Sequence, residues 1–209
     1  DWSACLPPDT WCDLMELNAF LTENGISEIP QPALQLLLER TVSSLQRELS
    51  GQFTTPLKLA QLLTRMTIHN LQSPCLDPCC GTGSIAKAAL AYKLSRGSSV
   101  QEALSSVWAA DKFSFPLQLA SLSLTRADAI QQPVRVFQQS AFDLEVGGKV
   151  PLTDPAAKTE LELPLPVFGS IVSNLPFVPF EYITAEETQS AHMLAKAVKA
   201  ETLISLDER

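Results

Sequence analysis

The stretch that most restricts how this chain can fold is residues 75–90, CLDPCCGTGSIAKAAL. A short apolar run ends in a carboxylate, Asp77, and a glycine-centred turn leads into a helix-forming segment that Gly97 stops. Gly81 and Gly83 permit backbone angles closed to other residues and leave no side chain between the chain and a ligand. The rhythm then repeats. SSVWAAD (105–111) predicts a second strand and FPLQLASLSLTRA a second helix. PVRVFQQ (133–139) predicts a third strand and FGSIVSN a fourth, with a last helix over about 184–205. Strands alternating with helices predict an α/β fold, a doubly wound and mainly parallel sheet. The polar, proline-bearing stretch at about 143–166 reads as a long loop.

Helices precede the sheet. One is predicted from Thr10 to Glu23, stopped by Asn24-Gly25, and another from Pro32 to Leu49. In the second, Leu34, Leu37, Leu38, Val42, Leu45 and Leu49 recur at three- and four-residue intervals and mark a buried face. GQFTTP (51–56) launches a third helix over about 56–71, with Leu59, Leu62, Leu63 and Met66 on one face. The chain therefore divides into an N-terminal helical segment, 1–50, and an α/β core, 51–209. Four strands are few for such a sheet and expose an edge at the last one. The expectation is a core truncated on its C-terminal side, or a protein partner covering that edge.

The net charge of −8 is uneven: residues 1–50 hold eight acids against two arginines. No basic face of the kind that grips nucleic acid unaided is visible. Five cysteines, an odd number with no paired C-x-x-C arms, argue against a disulfide framework and against a zinc site, and for a reducing compartment. No apolar run approaches the roughly 18–20 residues that span a bilayer. The N-terminus lacks a basic start and an apolar core, so the expected location is cytoplasmic, with no membrane contact.

In open parallel sheets, ligands bind beyond the carboxyl ends of the strands. The turn after Asp77 is not a phosphate cradle, since neither G-x-x-x-x-G-K-[S/T] nor G-x-G-x-x-G is present. An acid beside the turn suits an ammonium group, and Asp111, closing the second strand, stands where such sheets hold ribose hydroxyls. A ligand with an amino-acid cation at one end and a ribose at the other is S-adenosylmethionine.

DPCCGTG resembles the cofactor motif D-P-x-C-G-[T/S]-G of class I S-adenosylmethionine-dependent methyltransferases. GQFTTPLKLAQLL is similar to the G-Q-[F/Y]-x-T-P segment of N6-adenine DNA methyltransferases, particularly the modification subunits of restriction systems. SNLPF resembles their [D/N/S]-P-P-[Y/F/W], and the three segments come in the family's order. The resemblance implies a Rossmann-like methyltransferase fold and methylation of the exocyclic amine of adenine in DNA. It also implies that Thr55 and Pro56 lie near the methionine end of the cofactor, that Asp77, Cys79, Gly81 and Gly83 form its floor, that Asp111 holds the ribose and that Ser140 falls near the adenine. DNA contact would come from another domain or a specificity subunit.

The resemblance further implies that the Asn174 side-chain oxygen and the Leu175 carbonyl accept hydrogen bonds from the target amine, with Pro176 stiffening the loop and Phe177 stacking the base. No metal is needed. Leu175 replaces the first proline of the family pattern, but its carbonyl is retained. N-[L/I]-P-[Y/F] is also a form that ribosomal-RNA adenine dimethyltransferases show, although their E-x-G-x-G motif does not match here. Methylation of RNA or of a protein glutamine, and a methyltransferase-like module without catalysis, are the competing readings. Simpler roles compete as well: NLPF as a strand exit, Asp111 as a helix cap, Asp77 as a turn former. His69 and His192 read as structural or solvated, and Trp108 as core.

Overall fold

The computed structural model describes residues 8–25, 33, 54–177 and 183–197. The helix predicted from Pro32 to Leu49 lies outside these, apart from Ala33, as do Gly51, Gln52 and Phe53 and the end of the last predicted helix. Helix α1 spans Pro8–Glu23 and α2 Leu57–Thr67. Four strands, β1 (Cys75–Asp77), β2 (Val107–Asp111), β3 (Arg135–Gln138) and β6 (Ser170–Ile171), form a parallel sheet in the order β3-β2-β1-β6. Helix α3 (Ser84–Ser95) follows β1, α4 (Val100–Ser106) leads into β2, and α5 (Ser114–Leu124) follows β2. A further helix, α6, covers Ala185–Ala197. The fold is the expected Rossmann-like one, with winding that runs from β1 through β2 to β3 and then crosses back to β6. The reversal falls between β1 and β6, where open α/β sheets place their ligands.

Register sorts the strand residues onto two faces. Leu76 pairs with Trp108, and Trp108 with Arg135. Cys75, Val107 and Ala109 look toward the helices, packed with Ala86, Ala89, Leu90, Leu117, Ala120 and Leu124. Leu76, Trp108, Ala110 and Phe137 form the other face, with Trp108 edge-on to Phe137 and Phe168. Trp108 is core, as its strand position implies, and His69 and His192 are exposed.

That second face is covered by an element the sequence reading had as a loop. Residues 143–166 contain an antiparallel hairpin, β4 (Lys149–Asp154) against β5 (Thr159–Pro164). Val150 and Leu152 alternate inward and pack on Leu76, Trp108 and Phe137. Pro151 inside β4, Pro164 at the end of β5 and four turn residues between the strands hid the period of two. Asp154 Oδ1 accepts from the N–H groups of Ala156 and Ala157, and Lys158 takes a positive φ to close the turn. Helix α4 was also missed, although Ser99 and Glu102 form a capping box, a legible start signal.

Helix α2 corrects the reading of its face. Leu59, Leu62 and Met66 are 44%, 53% and 65% exposed, and the buried positions are Ala60 and Thr64. The helix packs closely on α3, where Ile85 and Ala88 meet Ala60 and the half-buried Leu63. Small side chains permit that approach, and larger ones project outward. Thr64 spends its hydroxyl on the Ala60 carbonyl over 2.7 Å.

Lys93 on α3 is fully buried without a carboxylate partner. Its Nζ donates to Leu71 O at 2.9 Å, Ser73 O at 2.8 Å and Ser106 Oγ at 2.9 Å, which satisfies all three donors. The ammonium ties α3 to the approach to β1 and to the end of α4.

Candidate active site

The glycine turn is built from backbone bonds and one carboxylate. Cys80 N–H donates to Ala110 O at 2.8 Å, and Gly83 N–H to Cys80 O at 2.9 Å. Gly81 N–H donates to Asp111 Oδ2 at 2.9 Å, and Asp111 Oδ1 accepts from Phe113 N–H, also at 2.9 Å. Asp111 therefore clamps the turn after β1 to the exit of β2. It does not cap α5, whose start has no side-chain cap.

The two glycines are required for different reasons. Gly83 has φ +84, and a Cβ there would stand 2.8 Å from Ser123 Oγ and 3.0 Å from Ala120, so α3 and α5 touch through it. Gly81 has φ +52, and its Cβ position meets nothing within 4 Å. The space over Gly81 is open. No side chain caps the first turn of α3, which leaves backbone N–H groups for an anionic ligand group.

The loop after β6 reaches the same rim. Val172 N–H donates to Leu76 O at 2.9 Å, after which the chain leaves the sheet. Ser173 Oγ then donates to Asp77 Oδ1 at 2.7 Å, and Cys79 N–H approaches the same oxygen at 3.4 Å. Asn174 Nδ2 donates to Thr55 Oγ1 at 3.3 Å, so residues 119 positions apart meet. Thr55 is buried, and Pro56 is the exposed N-cap of α2. Leu175 and Phe177 are 61% and 67% exposed, with Pro176 between them also exposed.

Asp77 is only 3% exposed. Burial pushes its carboxyl up to about 7, against the Ser173 and Cys79 bonds, and the charge on Asp111 adds to the rise. Burial likewise pushes the Cys79 thiol up to about 11 and Cys80 well above its ordinary value, so these thiols are poor nucleophiles at neutral pH.

Direct hydrogen bonds thus pair Thr55 with Asn174, Asp77 with Cys79 and Gly81 with Asp111 along one rim, and Ser173, next to Asn174 in the chain, bonds to Asp77. Ser140 stands farther along it. Gln139 N–H donates to Asp111 O, while the Ser140 hydroxyl accepts from Phe142 N–H at 3.3 Å in a short 3-10 turn, Ala141–Asp143. A groove of about 270 Å³ lies elsewhere, between α5, β3 and the hairpin, and includes none of the motif residues. Sequence reasoning assigned nothing to Ser173, although it stands inside SNLPF, because a contact across 96 residues leaves no local signal.

The rim fits a ligand with a cationic and an anionic end. Asp77 Oδ2 has no hydrogen-bond partner among the described residues, the α3 N-terminus offers donors, and the space over Gly81 is open. A family model, UPF0020 (RMKL-like, methyltransferase domain), matches residues 46–196. No curated protein matches the chain. No helix among the described residues is long and apolar enough to cross a membrane.

Proposed function

The chain belongs to the RMKL-like methyltransferase family, and on that premise we propose that it transfers a methyl group from S-adenosylmethionine to the exocyclic amine of adenine in DNA. One observation carries the reading: the segments TTP, DPCCGTG and SNLPF meet at one rim, through Asn174–Thr55 and Ser173–Asp77.

S-adenosylmethionine, when bound, supplies an electrophilic methyl group on a sulfonium. Asp77 Oδ2 would hold its ammonium, and the N–H groups opening α3 its carboxylate. Asp111 keeps a second lone pair on each oxygen for ribose hydroxyls while it clamps the turn. Adenine's amine is a weak nucleophile because its lone pair is spread into the ring. Asn174 turns its Nδ2 toward Thr55, which leaves Oδ1 to accept one N–H of the amine, and the Leu175 carbonyl would accept the other. Together they localise the pair on nitrogen. Phe177, exposed beside them, offers a face for a base taken out of its stack. The remaining contribution is alignment, with no covalent enzyme intermediate. The nitrogen–carbon bond forms as the carbon–sulfur bond breaks, and the amine's proton passes to water.

DNA is favoured over RNA or protein glutamine by the G-Q-F-T-T-P segment, which resembles the DNA enzymes. The acidic chain would rely on another domain or a specificity subunit for the duplex, and a partner strand on the β6 edge fits the exposure of Ile171. Tritium transfer from labelled S-adenosylmethionine to DNA, RNA and protein substrates tests the reading. Incorporation into adenine N6 of DNA supports it. Incorporation into RNA or protein alone overturns the substrate. Absence of cofactor binding, with Asp77→Ala without effect, overturns the activity.

A further inference from the structure

The chemistry above uses the residues that follow Ser173 and leaves Ser173 itself without a chemical role. Its placement gives it one. Among the described residues, the rung from Val172 N–H to Leu76 O is the last backbone bond between the sheet and this loop, so the direction of Asn174 depends on side-chain bonds, its own to Thr55 and that of Ser173. The Ser173 hydroxyl lies 2.7 Å from Asp77 Oδ1, on a carboxyl buried at the end of β1. One oxygen of Asp77 is thus bonded to the loop that would orient the target amine. The other has no hydrogen bond among the described residues.

We infer that Ser173 is a positioning residue whose bond to Asp77 couples occupation of the donor half of the cleft to the placement of the loop carrying Asn174. The inference rests on the reading of the rim as a methyl-donor and amine site, and deepens it. A hydroxyl binds an ionised carboxylate more strongly than a neutral one. A cation at Asp77 Oδ2 keeps the carboxyl ionised, so it tightens the Ser173 bond and with it the loop. Without the cation, burial favours the protonated carboxyl and the bond weakens. The other titratable groups acting on Asp77 are Asp111 at the end of β2, Cys75 on β1, and Cys79 and Cys80 on the turn. Burial holds the three thiols above their ordinary value, Cys75 and Cys79 at about 11. They stay neutral where Asp77 titrates, which leaves Asp111 as the charge that opposes ionisation.

The test compares wild type, Ser173→Ala and Ser173→Thr in the intact chain. Asp77 is titrated by carbon-13 NMR without ligand, and S-adenosylhomocysteine binding is followed by calorimetry from about pH 5.5 to 8. Methyl transfer to DNA is timed in parallel. Loss of the hydroxyl is expected to raise the Asp77 midpoint by about one unit. Affinity then falls roughly tenfold near pH 6 and less than about twofold near pH 8. The turnover rate falls roughly tenfold even at the higher pH, with the cofactor KM little changed. Threonine restores all three. If Ser173→Ala does not fold, Ser173→Cys, a near-isostere and weak donor, supplies the same comparison.

An unmoved Asp77 midpoint together with a wild-type rate in the alanine variant overturns the coupling while leaving the proposed function standing. A wild-type protein that binds no S-adenosylhomocysteine overturns the function, and the coupling with it.

Discussion

Gly81 donates its backbone N–H to Asp111 Oδ2 over 2.9 Å, so the turn that follows β1 is held by the residue that ends β2. The second oxygen of the same carboxylate holds Phe113. Truncation to alanine strands two backbone donors at once. Asp111→Ala is expected to cost about 2–4 kcal/mol of stability, and Asp111→Asn, which keeps one acceptor, about half of that. Denaturant midpoints of the two variants check it, and equal losses would sink the two-bond account.

The two glycines of the turn give a matched pair. Gly83→Ala meets Ser123 and Ala120 at 3.0 Å or less in a left-handed conformation. Its loss is expected to be about 2–4 kcal/mol, strain and overpacking together. Gly81→Ala meets nothing, so only the backbone term remains, about 1–2 kcal/mol. Thermal unfolding of both decides whether contact or φ dominates at Gly83.

Burial raises the Asp77 carboxyl to about 7 in the folded chain, against 3.8 when unperturbed. The folded state therefore keeps a proton that the unfolded state releases. By linkage, this group's contribution is fully present below about pH 4, falls as pH rises toward 7, and is then level, a span on the order of 4 kcal/mol. Asp77→Asn is expected to flatten that part of the stability profile and to be the more stable protein near pH 8. Urea melts at several pH values measure it. A wild-type profile that rises between pH 4 and 7, with the asparagine variant parallel to it, would contradict the assignment.

Lys93 is held by two carbonyls and the Ser106 hydroxyl. Lys93→Met fills much of the volume but leaves the Leu71 and Ser73 carbonyls without their donor, while Ser106 keeps its bond to Ala103 O. It is expected to destabilise by about 3 kcal/mol or more, while leaving the motif residues in place. Hydrogen exchange should show the loss concentrated in the segment before β1 and at the end of α4.

On the proposed function, Asn174→Ala removes one acceptor for the amine at a half-buried loop position. The rate of transfer is expected to fall by roughly 100-fold or more, with cofactor affinity and melting temperature near wild type. Phe177→Ala, at an exposed residue, is expected to raise the KM for DNA by roughly tenfold. A Phe177 variant with wild-type KM removes the stacking role.

Much of the core was legible because its signals are local. Asp77, Gly81 and Gly83 stand within seven residues and specify a strand end, a turn and a helix start. The parallel order of the sheet followed from alternation of strands with helices. The hairpin at 149–164 was not legible, because Pro151 and Pro164 interrupt the alternation that Val150 and Leu152 carry. The outward face of α2 was misread for a related reason. Periodicity counts leucines, whereas the contact with α3 selects the small Ala60 and Thr64.

The sequence by itself determined the alternation of the four parallel strands with helices and the chemistry carried at the glycine turn and at SNLPF, since backbone freedom at glycine and the period of apolar residues act over a few positions. Only the tertiary structure decided that Asn174 meets Thr55, that Ser173 meets Asp77, and that Asp111 spends both oxygens on backbone N–H groups. Those pairings arise where β1 and β6 lie side by side at the reversal of the sheet, and adjacency across roughly a hundred residues is set by packing that no short segment encodes.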